Sequence, residues 1–92
     1  MLNEIVVVRT YSAGVHIGRL VRHEGREVEL ADAVRLWRWR GANTLHEVAR
    51  KGVDQDYTRI SESIMRIILT EAIEIIPASG RAIETFTPRW PA

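Results

Sequence analysis

Three β-branched runs punctuated by glycine turns constrain the first third of this chain to antiparallel sheet. Ile5-Val6-Val7-Val8-Arg9-Thr10 is compact and apolar, the pattern of a buried strand. Tyr11-Ser12-Ala13-Gly14 supplies turn chemistry, and Val15 to Arg22 then reads as a second strand with Val15, Ile17, Arg19 and Val21 on one face. Gly18 inside that strand predicts a bend or a close backbone approach. Glu24-Gly25-Arg26 is a tight turn, and Glu27-Val28-Glu29-Leu30 alternates cleanly to complete a hairpin. After a short break at Ala31-Asp32, Ala33 to Arg40 forms an aromatic strand.

The second half is less uniform. Asn43 or Thr44 caps a short helix running to Lys51, with Glu47 three residues after Thr44 in the manner of a capping box and Gly52 as its stop. Leu45, Val48 and Ala49 fall on its inner face. Val53–Thr58 is polar and reads as loop, and Arg59–Ser63 is a candidate strand. Residues 64–70 suit strand or helix, and propensity alone leaves both open. Ile73 to Ile76 is a further strand that Pro77 ends. The expected fold is therefore mainly β with one short α-helix: a small bent β-barrel or roll of five to six strands. Residues 1–77 form a single small domain, and residues 78–92, with two of the three prolines, a C-terminal extension that wraps a neighbour or frays.

Composition narrows the function. Ninety-two residues at 46% hydrophobic and 27% charged make one globular domain with a thin core. Such a chain buries only about 60–65% of its unfolded surface, so assembly into a homo-oligomer is a natural source of further burial. The absence of cysteine excludes disulfides and thiolate metal sites. Met1-Leu2-Asn3-Glu4 lacks the basic start and apolar run of a secretory signal, and no apolar stretch approaches the ~20 residues needed to span a bilayer. A cytoplasmic protein with no membrane contact is expected. His16, His23 and His46 are scattered without a ligand pattern, so no metal and no cofactor are expected. No serine lies in a nucleophile elbow, and the acidic residues look like solvated faces; the chain is not expected to be an enzyme.

The most distinctive chemistry is Arg35-Leu36-Trp37-Arg38-Trp39-Arg40, where three arginines interleave with two tryptophans. In an extended strand Arg35, Trp37 and Trp39 share one face. Indoles beside guanidiniums suit stacking on a flat ring and bidentate binding of an anion, which nucleobases and phosphates offer together. The same indoles would equally serve as half of a core or subunit interface. The overall charge of +1 disfavours a long polyanion groove, yet residues 35–51 set Arg35, Arg38, Arg40, Arg50 and Lys51 against Glu47 alone. Gly41-Ala42-Asn43-Thr44 lacks the glycine pattern and lysine of a phosphate loop. Tyr11 to His16 adds hydroxyls, a glycine and an imidazole.

Two resemblances bear on these residues. The second and third strands, with Gly18, Leu20, Gly25, Val28, Leu30 and Asp32, resemble the first motif of Sm-like barrels, which implies an Sm/SH3-like roll able to associate through strand edges. The stretches 8–18, 33–39, 41–47 and 68–77 resemble a family of short proteins of tailed phages and prophages. That resemblance implies action in the cytoplasm of an infected bacterial host. Small phage proteins outside the virion often counter host defence, and one route is a sponge that traps a cyclic nucleotide or cyclic ADP-ribose-type signal without turnover. The expected ligand-binding residues are Tyr11, His16, Arg35, Trp37, Trp39, Arg40, Asn43 and His46, in a pocket shared between subunits. The alternatives are a small barrel binding single-stranded nucleic acid, and a phage structural or host-protein-interaction module.

Overall fold

The computed structural model of the protein describes residues 1–54 and 58–86. Its elements are β1 (Ile5–Thr10), β2 (Val15–Glu24), β3 (Glu27–Arg38), α1 (Leu45–Lys51), β4 (Arg59–Ile60), β5 (Ile64–Leu69), β6 (Ala72–Pro77) and α2 (Gly80–Ile83). The strands form one antiparallel sheet in the order β4-β3-β2-β1-β6, with β5 also on β3. The sheet is strongly bent but stays open, a roll rather than a closed barrel.

The bend explains the sequence of β1. Val7 faces one core with Ile17, Val34, Leu36 and Ile60, which α1 and α2 cover through Val48, Ala49 and Ala82. Val6 and Val8 face the other, inside the roll, with Leu20, Val28, Leu30, Ala33, Leu69 and Ala72. A strand buried on both faces needs an unbroken apolar run, and Val6, Val7 and Val8 provide it. Gly18 lets β3 approach closely: a Cβ there would sit 3.0 Å from the Leu30 Cβ and 3.1 Å from the Ala31 carbonyl oxygen. Register irregularities flank this point, between Ile17 and Arg19 and between Leu20 and Arg22, where the hairpin curls.

Two sequence expectations change, and a choice left open is settled. The break at Ala31-Asp32 is a kink inside one continuous strand, with Asp32 at φ 51°. Residues 64–69 are strand, fixed by pairing along β3 from Ala33↔Ile64 to Val28↔Leu69. A second helix, α2, joins the expected one. Ser79 caps it, accepting from the Ala82 N–H at 3.0 Å, and Phe86 then closes the helix-side core. The segment set apart as a C-terminal extension thus contributes Ala78, Ala82 and Phe86 to the domain, while Trp90 and residues 87–92 lie outside the described residues.

The expected cap forms as well. Thr44 accepts from the Glu47 N–H at 3.2 Å, and the Glu47 carboxylate accepts from the Asn43 N–H at 3.3 Å and pairs with Lys51 at 3.2 Å. These contacts hold the Glu47 carboxyl below its usual range, the Asn43 N–H contributing most. Gly52 ends α1 at φ 84°, where a Cβ would overlap the Thr85 side chain. Thr85 is itself committed: its hydroxyl accepts from Val53 N–H at 3.1 Å and donates to the Ala82 carbonyl at 2.8 Å. Gly52→Ala therefore combines left-handed strain with a clash and should lower stability by roughly 1–3 kcal/mol. Urea denaturation reads this directly, and a loss no greater than that of Gly80→Ala, where a Cβ meets open space, would refute it.

Among the described residues no helix is long and apolar enough to cross a membrane.

Candidate functional site

β3 carries the site. Val34 and Leu36 point into the helix-side core, so the intervening positions present Ala33, Arg35 and Trp37 on the opposite face. Trp37 is 49% exposed. Its neighbour along the strand, Arg38, stands across from Arg59 on β4. Like charges directly opposite in a sheet repel, and none of the guanidiniums of Arg35, Arg38 and Arg59 has an ion-pair partner among the described residues. The arginines of the β2–β3 hairpin differ. Arg22 contacts Glu27 at 2.5 Å and Glu29 at 3.3 Å, and Arg66 pairs with Glu29, so that cluster is internally neutralised.

A cavity of about 190 Å³ opens beside Arg35 between β3 and β5. Its walls are apolar (Ala33, Val34, Ile64 and Ile67), and its polar groups are His16, Arg35, Ser61 and Glu62. His16 on β2 faces Arg35 across the strand pair and is only 2% exposed. Its Nε2 donates to the Ala13 carbonyl at 2.9 Å, because a carbonyl can only accept. The Nδ1 atom has no partner among the described residues. The ring itself lines the cavity. Ser61 ties the connection between β4 and β5 to β3: its hydroxyl accepts from Arg35 N–H at 2.8 Å and donates to the Glu62 carbonyl at 3.0 Å.

Burial pushes the His16 imidazole below its ordinary value; the Ala13 bond opposes this and Arg35 reinforces it. The ring is therefore neutral in the folded state at neutral pH. Below about pH 6.5 the unfolded chain takes up a proton that the folded one resists, so stability falls as pH drops through that value. His16→Gln should flatten the dependence of the urea midpoint between pH 7.5 and 5. An unchanged slope in the variant would assign it to other groups.

The other expected site residues disperse. Trp39 lies beyond the end of β3 and packs partly buried against the helix-side core, because pairing with β4 shifts register between Leu36 and Arg38. Trp37 and Trp39 therefore do not share a face, which corrects the strict alternation expected for this segment. Tyr11 is exposed in the β1–β2 turn, its N–H donating to the Glu71 carbonyl. Arg40 is anchored through its backbone, the N–H to Thr58 and the carbonyl to the Asp54 N–H. Asn43 precedes the α1 cap. His46, on α1, lines two other hollows, one with Arg50 and Ser79 and one with Arg9 and Glu74. Ser61, Glu62 and Arg59 were not singled out by sequence. No motif marks them, and only the shared pairing of β4 and β5 with β3 brings them to Arg35.

The protein is thus a small open β-roll whose third strand presents Arg35 and Trp37 on one face beside a cavity of about 190 Å³. The chain belongs to the family described as a domain of unknown function, DUF6948, whose model matches residues 3–86. No curated protein and no solved structure matches it.

Proposed function

We propose that the protein is a non-catalytic binder of a nucleotide-derived anion, acting by stoichiometric sequestration. Arg35 holds a phosphate, with Arg38 and Arg59 adding charge, and Trp37 stacks on a ring of the ligand. The observation that carries this reading is Arg35 on the same strand face as the half-exposed Trp37, with Arg38 and Arg59 opposite one another close by in sequence and sheet, none of the three with an ion-pair partner among the described residues. Folding gains nothing from such an arrangement, whereas an anionic ligand relieves its repulsion. A homo-oligomer fits the same chain, since β5 pairs only with β3 among the described strands and exposes Ile64, Met65 and Ile68. Within the tailed-phage setting that the sequence resembles, the ligand class is a cyclic nucleotide or cyclic ADP-ribose-type defence signal in the host cytoplasm.

Isothermal titration against cyclic mononucleotides, cyclic dinucleotides and cyclic ADP-ribose isomers tests the proposal, with saturable binding and no turnover expected. Absence of heat with every member would overturn it. A steep salt dependence with oligonucleotides, and no response to the small ligands, would replace it by single-strand binding.

A further inference from the structure

We infer that the cavity beside His16 is a second ring subsite that reads a guanine-type edge, so that the ligand carries two rings flanking a phosphate. This rests on the reading of Arg35 as the phosphate contact and extends it.

Three observations converge. The first is order along β3: Ala33 at the cavity, Arg35 at its rim and Trp37 beyond lie on one face. Alternate residues of a strand are about 7 Å apart, so a cation stands between two places for a ring. The second is size. Ligand pockets for whole drug-sized molecules run to about 300–1,000 Å³, while an apolar cavity of about 150 Å³ admits benzene. At about 190 Å³, between Ala33 and the side chains of Ile64 and Ile67, the space takes the leading ring of a base and leaves the phosphate outside.

The third is the chemistry of the polar lining, which, apart from Arg35 at the rim, accepts rather than donates. His16, which lines the cavity, is nine-tenths buried and more, its Nε2 proton is spent on the Ala13 carbonyl, and its Nδ1 lone pair has no partner among the described residues. The Ser61 hydroxyl proton is spent on the Glu62 carbonyl. The Glu62 carboxylate has no ion-pair partner among the described residues and can only accept. A ring that enters must therefore bring N–H donors. Guanine presents two side by side, the ring N1–H and the exocyclic amino group, matching the two oxygens of a carboxylate. Adenine presents only its amino group on the corresponding edge. The negative charge of Glu62 also fixes direction, turning the phosphate toward Arg35, Arg38 and Arg59 and the base toward His16.

The test is calorimetric, with cyclic di-GMP, cyclic di-AMP and 3′,5′-cyclic GMP as probes of the full-length protein. Cyclic di-GMP should bind at least tenfold more tightly than either of the others. Glu62→Gln, at an exposed loop position that leaves the fold intact, should bring cyclic di-GMP to within threefold of cyclic di-AMP. Trp37→Ala should weaken both dinucleotides and preserve their ratio. If the two dinucleotides bind within twofold of each other, or if Glu62→Gln leaves their ratio unchanged, the subsite is refuted. Arg35-dependent binding of other nucleotides without cyclic dinucleotide binding would remove the subsite and spare the proposed function. No binding of any nucleotide would remove both.

Discussion

Phe86→Ala destabilises the protein by about 3–5 kcal/mol, the range for emptying a buried aromatic site. Phe86 is 8% exposed and closes the core that α1 and α2 make against Val7, Ile17, Leu36 and Ile60. Its backbone is held by the Ile83 carbonyl at 3.1 Å, and the turn before it by Thr85, so the neighbours cannot easily collapse into the hole. Small domains sit near the lower end of the usual 5–15 kcal/mol of stability, and a loss of this size leaves little. Chemical denaturation should show a midpoint far below that of the parent. Ile83→Ala, on the exposed side of α2, is the internal control and should cost well under half as much. A Phe86→Ala midpoint close to the parent's would mean that residues 78–86 are dispensable packing rather than part of the domain.

If the proposed function holds, Arg35→Ala should remove most of the ligand affinity while leaving the fold in place. A hydrogen-bonded charge contact is worth about 1.5–3 kcal/mol, which corresponds to roughly a ten- to hundredfold rise in Kd. The side chain is exposed, and what ties Arg35 to the fold is its backbone, N–H to the Ser61 hydroxyl and carbonyl to the Ser61 N–H. Thermal unfolding of the variant should therefore track the parent. Arg35→Lys should restore part of the affinity, since a point charge survives without the bidentate fork. Wild-type affinity in Arg35→Ala would move the phosphate to Arg38 and Arg59, and wild-type affinity in the triple alanine variant would exclude this face altogether.

How much of this was legible in the sequence differs by element. The apolar run of β1, the Gly25 turn and the Thr44–Glu47 cap are local signals, each satisfied by atoms a few residues away, and all appear as expected. The Ser79 cap of α2 is equally local, but it follows Pro77 in a segment whose composition reads as an extension. Trp39 was misplaced because alternation holds only while a strand lasts, and β3 ends at Arg38. The pairing with β4, a contact between distant segments that no periodicity encodes, also shifts register between Leu36 and Arg38. His16 and Arg35 were accessible as candidates by residue type. Ser61 and Glu62 were not, because their value comes entirely from the connection between β4 and β5 being laid beside β3.

The link between β5 and β6 has a mechanical consequence. These strands lie at opposite margins of the sheet, with β3, β2 and β1 between them, yet only Thr70 and Glu71 separate them in sequence. The pair works as a clasp: its shortness holds the two margins together at one corner, assisted by the Ala72 N–H on the Arg26 carbonyl and the Tyr11 N–H on the Glu71 carbonyl. A cut or a long insertion at this corner would relax the curl and spread the inner core residues Leu69 and Ala72 apart. Curvature in this protein is thus set as much by a chain tether as by the packing it encloses.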